Sequence, residues 1–256
     1  MSSSDRSSKS AAVIEFREVT YEVGNQQLLA DVSFSVAAGD TLVLLGRSGA
    51  GKTTALKLIN RLLTPTRGEV IVNGRSTTSG DPIQLRRSIG WVIQESGLFP
   101  HYSVEKNIGL VPQLEHWPAQ RVRTRVTELM QLLGLDATLR TRYPHQLSGG
   151  QRQRVGVGRA LAADPHILLM DEPFGALDPI TRAELQKEFA ALQQRLRKTV
   201  VMVTHDVREA LLLGARIALF EAGRLVGIFS REEFARSQDA HVREYMAPFR
   251  DAALPI

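Results

Sequence analysis

The stretch GRSGAGKTT, residues 46–54, decides how this chain folds. It fits the spacing Gly-x4-Gly-Lys-Thr of a phosphate-binding loop, with an apolar run before it and a helical pattern after it. Gly46, Gly49 and Gly51 let backbone N–H groups wrap around phosphate oxygens, and the helix that follows adds positive potential at its N-terminus. The stretch therefore predicts a strand, a glycine-rich loop and a helix that together bind a nucleotide.

Side chains of the same stretch supply the rest of the binding chemistry. Lys52 is placed to reach the β- and γ-phosphates, and Thr53 is placed to hold Mg²⁺. Ser48 and Thr54 complete the set of residues that we expect to contact the nucleotide. A glycine turn with a chance lysine is the alternative, but the strand and helix patterns on both flanks favour the phosphate-binding loop.

The run ILLMDE, residues 167–172, predicts a buried strand that ends in two carboxylates. Ligands of open α/β sheets bind at the carboxyl ends of the strands, so Asp171 can hold Mg²⁺ through water there. Glu172 can orient or deprotonate the water that attacks the γ-phosphate. A strand that ends in a solvated turn explains an isolated Asp-Glu pair equally well, so this run alone is weak evidence.

A second glycine-rich turn lies far from the first. The sequence HQLSGGQRQR, residues 145–154, places Ser148, Gly149, Gly150 and Gln151 directly before a helical pattern. A helix N-terminus with exposed amides suits an anion. Taken alone, the turn is better explained as an ordinary serine N-cap.

Hydrophobic patterning divides the chain into three regions. The first third predicts strands joined by tight turns and then a helix from Lys52 to about residue 64, the middle third predicts helices, and the last third alternates helix and strand. The predicted strands are 14–23, 27–36, 41–45, 69–72, 89–94, 167–170, 199–203 and 217–220, and the other predicted helices are 118–135, 148–163, 179–197 and 207–213.

Composition narrows the class of protein. The 256 residues are 43% apolar, which is enough for a real core, and they include no cysteine, which excludes disulfides and thiolate metal sites. The formal charge of +5 comes from basic residues scattered along the chain, so we expect no nucleic-acid partner.

Residues 1–12 look like a disordered tail, not a signal peptide. The longest apolar stretches are too short to span a membrane, so we expect only peripheral membrane contact.

Together these motifs resemble the ATP-binding cassette (ABC) family. Its signature Leu-Ser-Gly-Gly-Gln stands intact at residues 147–151, between the two nucleotide motifs and in the family's order. The resemblance covers Val13 to about Met246, followed by a tail at 247–256. It implies an α/β fold with a P-loop NTPase core. The core has a mixed sheet with an antiparallel β subdomain, and a helical signature subdomain is expected at about 96–163.

The resemblance also gives the second turn a purpose. Two copies would dock head to tail, and each ATP would lie between Lys52 of one chain and the turn formed by Ser148, Gly149, Gly150 and Gln151 in the other. The sequence GALD, residues 175–178, resembles the loop that crosses this interface, with Asp178 in place and Gly175 where many relatives have serine.

Three further residues take roles by resemblance. Tyr21 resembles the aromatic that stacks on adenine, although a half-buried strand tyrosine is as good an explanation. Gln94 resembles the glutamine that touches Mg²⁺ and the attacking water, and otherwise it is a polar strand end. His205 resembles the switch histidine that reaches the γ-phosphate, whereas an isolated histidine is more often structural.

Within the family, the chain resembles the ATPase of bacterial importers for glycine betaine, choline and related osmoprotectants. That resemblance implies a peripheral protein on the cytoplasmic face of the membrane, a permease bound through loop 94–102 with Phe99 as a contact, and a separate substrate-binding protein. The 256 residues contain no counterpart of the CBS modules with which such relatives often continue. The alternatives are an importer for another solute, an ABC ATPase that acts on nucleic acid, and a regulatory module without turnover, against which Glu172 argues.

Overall fold

Two β-sheets form the framework of the computed structural model, which describes residues 12–94 and 97–247. The smaller sheet is antiparallel, with strand order β2-β1-β4-β5. Its strands are β1 (Ala12–Val23), β2 (Gln26–Ala37), β4 (Arg67–Val72) and β5 (Arg75–Ser76). Buried and exposed residues alternate along the second half of β2, so one face of this sheet packs on the core and the other meets solvent.

The larger sheet has six strands in the order β10-β9-β3-β8-β7-β6. All neighbouring pairs are parallel except β9 with β10. The strands are β3 (Thr41–Leu45), β6 (Ile89–Val92), β7 (Ile167–Asp171), β8 (Thr199–Thr204), β9 (Arg216–Glu221) and β10 (Arg224–Ser230). Every residue of the central strands β3 and β8 is buried, as expected when both faces of a parallel sheet are covered.

Helices cover both faces of the larger sheet and form a separate lobe in the middle of the chain. The described helices are α1 (Lys52–Ile59), α2 (Pro82–Ser88), α3 (Val104–Leu114), α4 (Ala119–Leu132), α5 (Gly149–Leu161), α6 (Pro179–Leu196), α7 (Val207–Leu213), α8 (Arg231–Arg236) and α9 (Ala240–Met246). The lobe consists of α3, α4, α5 and two 3₁₀ turns, Ala137–Thr141 and Pro144–Gln146. No helix within the described residues is long and apolar enough to cross a membrane.

The hydrophobic core has two parts. One joins the helical lobe, α6 and α7 to one face of the six-stranded sheet. The other lies between the opposite face of that sheet, α1 and the antiparallel sheet, with Leu42 and Leu44 of β3 among its members. Since β3 contributes Val43 and Leu45 to the first part, alternate residues of this one strand hold the two parts together.

The predicted architecture is confirmed, with several corrections to its elements. The helix after the phosphate loop ends at Ile59 rather than near residue 64, because Asn60 caps it and Arg61 adopts a positive φ of 53°. The strand predicted for 89–94 ends at Val92. The elements β5, α2, α3, β10, α8 and α9 were missing from the prediction. Ala12, assigned to the tail, begins β1, while residues 1–11 and 248–256 lie outside the described residues.

The core position of β3 leads to a stability prediction. Leu44→Ala should lower the free energy of unfolding by about 2–5 kcal/mol, because the side chain is fully buried and its removal leaves a cavity. Leu114→Ala is the matched control, since Leu114 is 46% exposed and the change should cost less than about 0.5 kcal/mol. Urea denaturation followed by circular dichroism measures both, and equal effects would contradict the assignment of β3 to the core.

Candidate functional site

The strand order of the larger sheet brings the predicted motifs to one edge. The neighbours β3, β8, β7 and β6 are parallel, so their carboxyl ends lie side by side. The phosphate loop follows β3, His205 follows β8, and Glu172 follows β7. Gln94 comes two residues after β6. Residues from four separate parts of the sequence therefore share one edge, where open α/β sheets bind their ligands.

The phosphate loop is shaped by glycines that stand against other backbone. Gly51 is the N-cap of α1 with φ 95°, and a Cβ there would lie 2.6 Å from Leu29 Cδ2. A Cβ on Gly46 would lie 2.5 Å from the carbonyl oxygen of Phe220. The loop is thus packed between the antiparallel sheet on one side and β9 on the other, and a side chain at either position would push it out of place.

Lys52 lies beneath this loop and is only 5% exposed. Its Nζ donates to the carbonyl oxygens of Gly46 at 2.7 Å and Arg47 at 2.9 Å, so the ammonium holds the loop closed upon itself. Burial lowers the pKa of Lys52, while the carboxylates of Glu172 and Asp171 act in the opposite direction. A cation with two carbonyl partners and nearby anions is well placed to exchange a carbonyl for a phosphate oxygen.

Thr53 and Asp171 form the second polar contact of the site. The Thr53 hydroxyl donates to Asp171 Oδ1 at 2.9 Å, which joins the start of α1 to the end of β7. Burial raises the pKa of the Asp171 carboxyl, the hydrogen bond from Thr53 opposes the rise, and nearby Glu172 adds to it. Hydroxyl and carboxylate oxygens are ligands that Mg²⁺ accepts, with water and phosphate oxygens completing its shell. No group of three or more His, Cys, Asp or Glu side chains forms a metal site within 12–94 and 97–247.

Glu172 and His205 form a pair beside these residues. His205 Nδ1 lies 3.3 Å from Glu172 Oε2, and the imidazole is 59% exposed. Glu172 has a positive φ of 43°, and its backbone N–H donates to the carbonyl of Val203 on the neighbouring strand. A left-handed conformation at a non-glycine residue costs free energy, and such strain is concentrated at functional sites. The strained turn directs a carboxylate toward an exposed imidazole at the edge of the sheet.

Two further predicted site residues lie at the margin of this group. Gln94 is exposed just beyond the end of β6. Tyr21 is partly buried on β1 and pairs in register with Leu29, the residue that packs against Gly51. Their positions next to β7 and the phosphate loop agree with the expected roles, which stay predictions.

The second glycine turn begins α5, and its polar side chains cap that helix. Gln151 N–H donates to Ser148 Oγ at 3.2 Å, and Ser148 N–H donates to Gln151 Oε1 at 2.9 Å. This reciprocal capping box leaves the amides of Gly149 and Gly150 in the first turn, where a helix has no internal partner for them. The side chain of Gln151 is therefore occupied by the cap, which the sequence analysis did not anticipate.

The two expected interface segments contact each other. A Cβ on Gly150 would lie 2.8 Å from Thr181 in the first turn of α6, and one on Gly149 would lie 3.4 Å from Leu177. Asp178 is the N-cap of α6 and accepts from the backbone N–H of Thr181 at 3.0 Å. The glycine turn and the loop with Asp178 thus form one surface, although they are about thirty residues apart in sequence.

Sequence reasoning missed Asn107 and Arg159, which hold the loop after Gln94. Asn107 is fully buried, and its side chain bonds the backbone of Phe99, Tyr102 and Ser103. Arg159 on α5 donates to the carbonyl of Gly97 at 2.7 Å. A buried asparagine in the first turn of a helix has no distinctive sequence signal, so only the structure identifies it as a support for this loop.

Comparison with known proteins agrees with this geometry. The family model of ABC transporters matches residues 29–175, which is more than half of the chain. The chain belongs to the ABC transporter family. This ABC chain is 47% identical over 232 residues to the choline transport ATP-binding protein OpuBA of Bacillus subtilis, covering 90% of the chain and 61% of the relative. It is 51% identical over 214 residues to the glycine betaine uptake system ATP-binding protein YehX of Escherichia coli, covering 84% and 70%.

Solved ABC structures share the fold. The dimeric post-hydrolysis state of the ATP-binding cassette MJ0796 bound to ADP and Pi aligns with a TM-score of 0.76 at 33% identity, covering 85% of this chain and 98% of that one. CbiO1 from Clostridium perfringens, part of the transporter complex cbiONQ, aligns with a TM-score of 0.81 at 25% identity, covering 93% and 96%. The chain spans 61% and 56% of the lengths of the Bacillus subtilis relatives OpuBA and OpuCA.

The raised pKa of Asp171 predicts that the charge of this side chain destabilises the folded protein. In the folded state burial penalises the charged carboxylate at neutral pH, so Asp171→Asn should raise the melting temperature of the nucleotide-free protein. Because the penalty exists only for the ionised form, the gain should disappear as the pH falls toward 3.8, the ordinary pKa of aspartate.

Asp178→Asn is the matched control for this measurement. The hydrogen bond from the backbone of Thr181 lowers the pKa of Asp178, so its charge favours folding and the change should give no rise in melting temperature. Scanning calorimetry across pH measures both variants. A drop in melting temperature for Asp171→Asn at neutral pH would contradict the account.

Proposed function

We propose that this chain is the ATP-hydrolysing subunit of a bacterial importer. The observation that carries the proposal is the convergence, at one edge of the sheet, of Lys52 under the phosphate loop, the bonded pair Thr53 and Asp171, and the pair Glu172 and His205. The first two groups suit the phosphates of a nucleoside triphosphate, and the third suits activation of a water molecule at its γ-phosphate.

Each residue of this site has a defined task in hydrolysis. Lys52 leaves its loop carbonyls to contact the β- and γ-phosphates, and loop amides bind the remaining oxygens. Glu172 orients the attacking water and accepts its proton, while His205 contacts the γ-phosphate and keeps the Glu172 carboxylate in place. Thr53 and Asp171, with Gln94 nearby, would hold Mg²⁺, which supplies charge neutralisation at the phosphates when bound. Tyr21 would stack on adenine.

A second copy of the chain completes the site in this proposal. The amides of Gly149 and Gly150, with Ser148 beside them, face the γ-phosphate held by the other chain, and Asp178 lies in the same surface. The dimeric state of the structurally similar cassette MJ0796, which is bound to ADP and Pi, supports this arrangement. ATP then acts as part of the interface between two identical chains.

The similar proteins support a proposal for the importer's partner and cargo. The relatives OpuBA and YehX are named for choline transport and glycine betaine uptake, which supports a quaternary-amine osmoprotectant as the cargo. A membrane permease would bind loop 94–102, where Phe99 is 40% exposed and packs with His101 and Tyr102. The ATPase would then lie on the cytoplasmic face of the membrane, and a separate binding protein would select the solute.

Uptake of labelled choline and glycine betaine tests the cargo. In cells that depend on this chain for growth at high osmolarity, Lys52→Ala should abolish uptake of both compounds, while Lys187→Ala, at an exposed position of α6, should leave it unchanged. If uptake is normal with Lys52→Ala and the purified wild-type protein hydrolyses ATP, the chain is still an ATPase, but choline and glycine betaine are not its cargo.

Nucleotide binding gives a prediction for Lys52 itself. Lys52→Ala should weaken ATP binding at least tenfold, because a charge-assisted hydrogen bond to phosphate is worth roughly 1.5–3 kcal/mol. Isothermal titration calorimetry measures the affinity, and Lys187→Ala again serves as the control. Equal ATP affinity in the wild-type and Lys52→Ala proteins would remove Lys52 from the nucleotide site.

Hydrolysis gives a separate prediction for Glu172. Glu172→Gln should lower kcat by about 10²–10⁴-fold while ATP still binds, because the amide cannot accept the proton of the attacking water. The trapped ATP complex should be a dimer by light scattering, whereas Glu184→Gln, an exposed change on α6, should hydrolyse ATP like wild type. A Glu172→Gln protein that turns over ATP at the wild-type rate would overturn the assignment of the base.

A further inference from the structure

Glu209 on α7 is a buried acid with no task in the mechanism described above. It is 4% exposed, and no other Asp or Glu among residues 12–94 and 97–247 is buried. Burial raises the pKa of its carboxyl, and hydrogen bonds from Thr204 and Gln186 oppose that rise. A carboxyl group kept inside a core at this cost needs a structural reason.

The partners of Glu209 belong to two different elements of the site. Gln186 on α6 donates its Nε2–H to Glu209 Oε1 at 2.8 Å, and Gln186 is itself buried. Thr204 is the last residue of β8 and immediately precedes His205. The carboxyl group thus joins α6 to the strand end that carries the switch histidine.

The turn at His205 is held through its neighbours rather than through its own side chain. Thr204 Oγ1 accepts from the backbone N–H of Asp206 at 3.0 Å, and Asp206 Oδ1 accepts from the backbone N–H of Arg208 at 2.7 Å. The imidazole is 59% exposed, so core packing contributes little to where it lies. Its distance from Glu172 therefore depends on the placement of residues 204–206.

Helix α6 also supports the loop that follows Glu172, the other member of the catalytic pair. Arg182, one turn before Gln186 on α6, donates to the carbonyls of Phe174 at 3.1 Å, Gly175 at 3.2 Å and Leu177 at 3.0 Å. Residues four apart lie on the same face of a helix. One face of α6 thus holds the loop that follows Glu172 through Arg182, and it is linked to the turn at His205 through Gln186 and Glu209.

We propose that Glu209 is a positioning residue that, bonded to Gln186 and Thr204, fixes the location of His205 relative to Glu172. Since Asp178 caps the start of α6 and lies within the surface where the second copy is proposed to dock, this link also connects docking to the catalytic pair. The effect on hydrolysis rests on the proposed function, but the placement of His205 is a property of the nucleotide-free chain.

The first test observes His205 directly, without ATP. In protein with labelled histidines, the imidazole signal of His205, one of six and assigned by its loss in His205→Ala, should shift or broaden in Glu209→Ala and in Gln186→Ala. Glu209→Gln should instead keep the wild-type signal, because the amide of the new glutamine can bond both Gln186 and Thr204. Gln193→Ala is the matched control, since Gln193 lies on the same helix but bonds Thr41 and Lys198 at the opposite end of the sheet.

The second test separates positioning from stability by kinetics. Glu209→Ala should lower kcat roughly 10- to 100-fold with little change in KM, since a misplaced catalytic group costs rate rather than binding. In a His205→Ala background the same change should lower kcat by less than about twofold, because the residue through which it acts is gone.

The two tests fail in distinguishable ways. An unchanged His205 signal in both Glu209→Ala and Gln186→Ala, or an equal loss of kcat with and without His205, would overturn the positioning role and leave Glu209 as a merely structural acid. If Glu209→Ala does not fold, Gln186→Ala decides the same question with the carboxyl in place. A wild-type protein without ATPase activity would overturn the proposed function, while the His205 signal would still decide the inference.

Discussion

The parallel arrangement of β3, β8, β7 and β6 is the constraint on which the site depends. Each strand ends at the same edge of the sheet, and each is followed within two residues by a polar residue or loop that the chain can present there. The strands themselves are buried on both faces, so the edge is the place where polar groups can leave the core without losing solvation. Because of this order Thr53 bonds Asp171, and His205 lies 3.3 Å from Glu172, although about 150 residues separate Thr53 from His205.

The site also carries free-energy costs that the rest of the fold offsets. Burial lowers the pKa of Lys52 and raises that of Asp171, and Glu172 is held in a left-handed backbone conformation. These costs are tolerated because the surrounding strands and helices contribute two large apolar clusters. Charges kept in a partly desolvated pocket interact more strongly with a phosphate than the same charges would in water. The partial burial of these charged groups therefore both lowers the stability of the fold and strengthens their attraction to phosphate.

Much of this arrangement could be predicted from the sequence. Local spacing was sufficient for the phosphate loop, for the strand that leads into Asp171 and Glu172, and for the helical middle third, because each depends on residues close together in the chain. The short elements α2, α8 and α9 could not be predicted, since six or seven residues give too little periodicity. The capping role of Gln151, the support of loop 97–103 by Asn107 and the bond between Gln186 and Glu209 join residues whose proximity is created by tertiary packing.

The central claim is that the glycine turn at Ser148 completes the nucleotide site of another copy, and a crosslink between two chains tests it most directly. Because the natural sequence has no cysteine, a Ser48→Cys chain can be mixed with a Ser148→Cys chain, both carrying Glu172→Gln, and treated with a short thiol crosslinker. With ATP and Mg²⁺, mass spectrometry should find a link between positions 48 and 148 of different chains, and with ADP the link should be absent. A yield that does not depend on ATP, or no such link while ATP is bound, would contradict the head-to-tail arrangement.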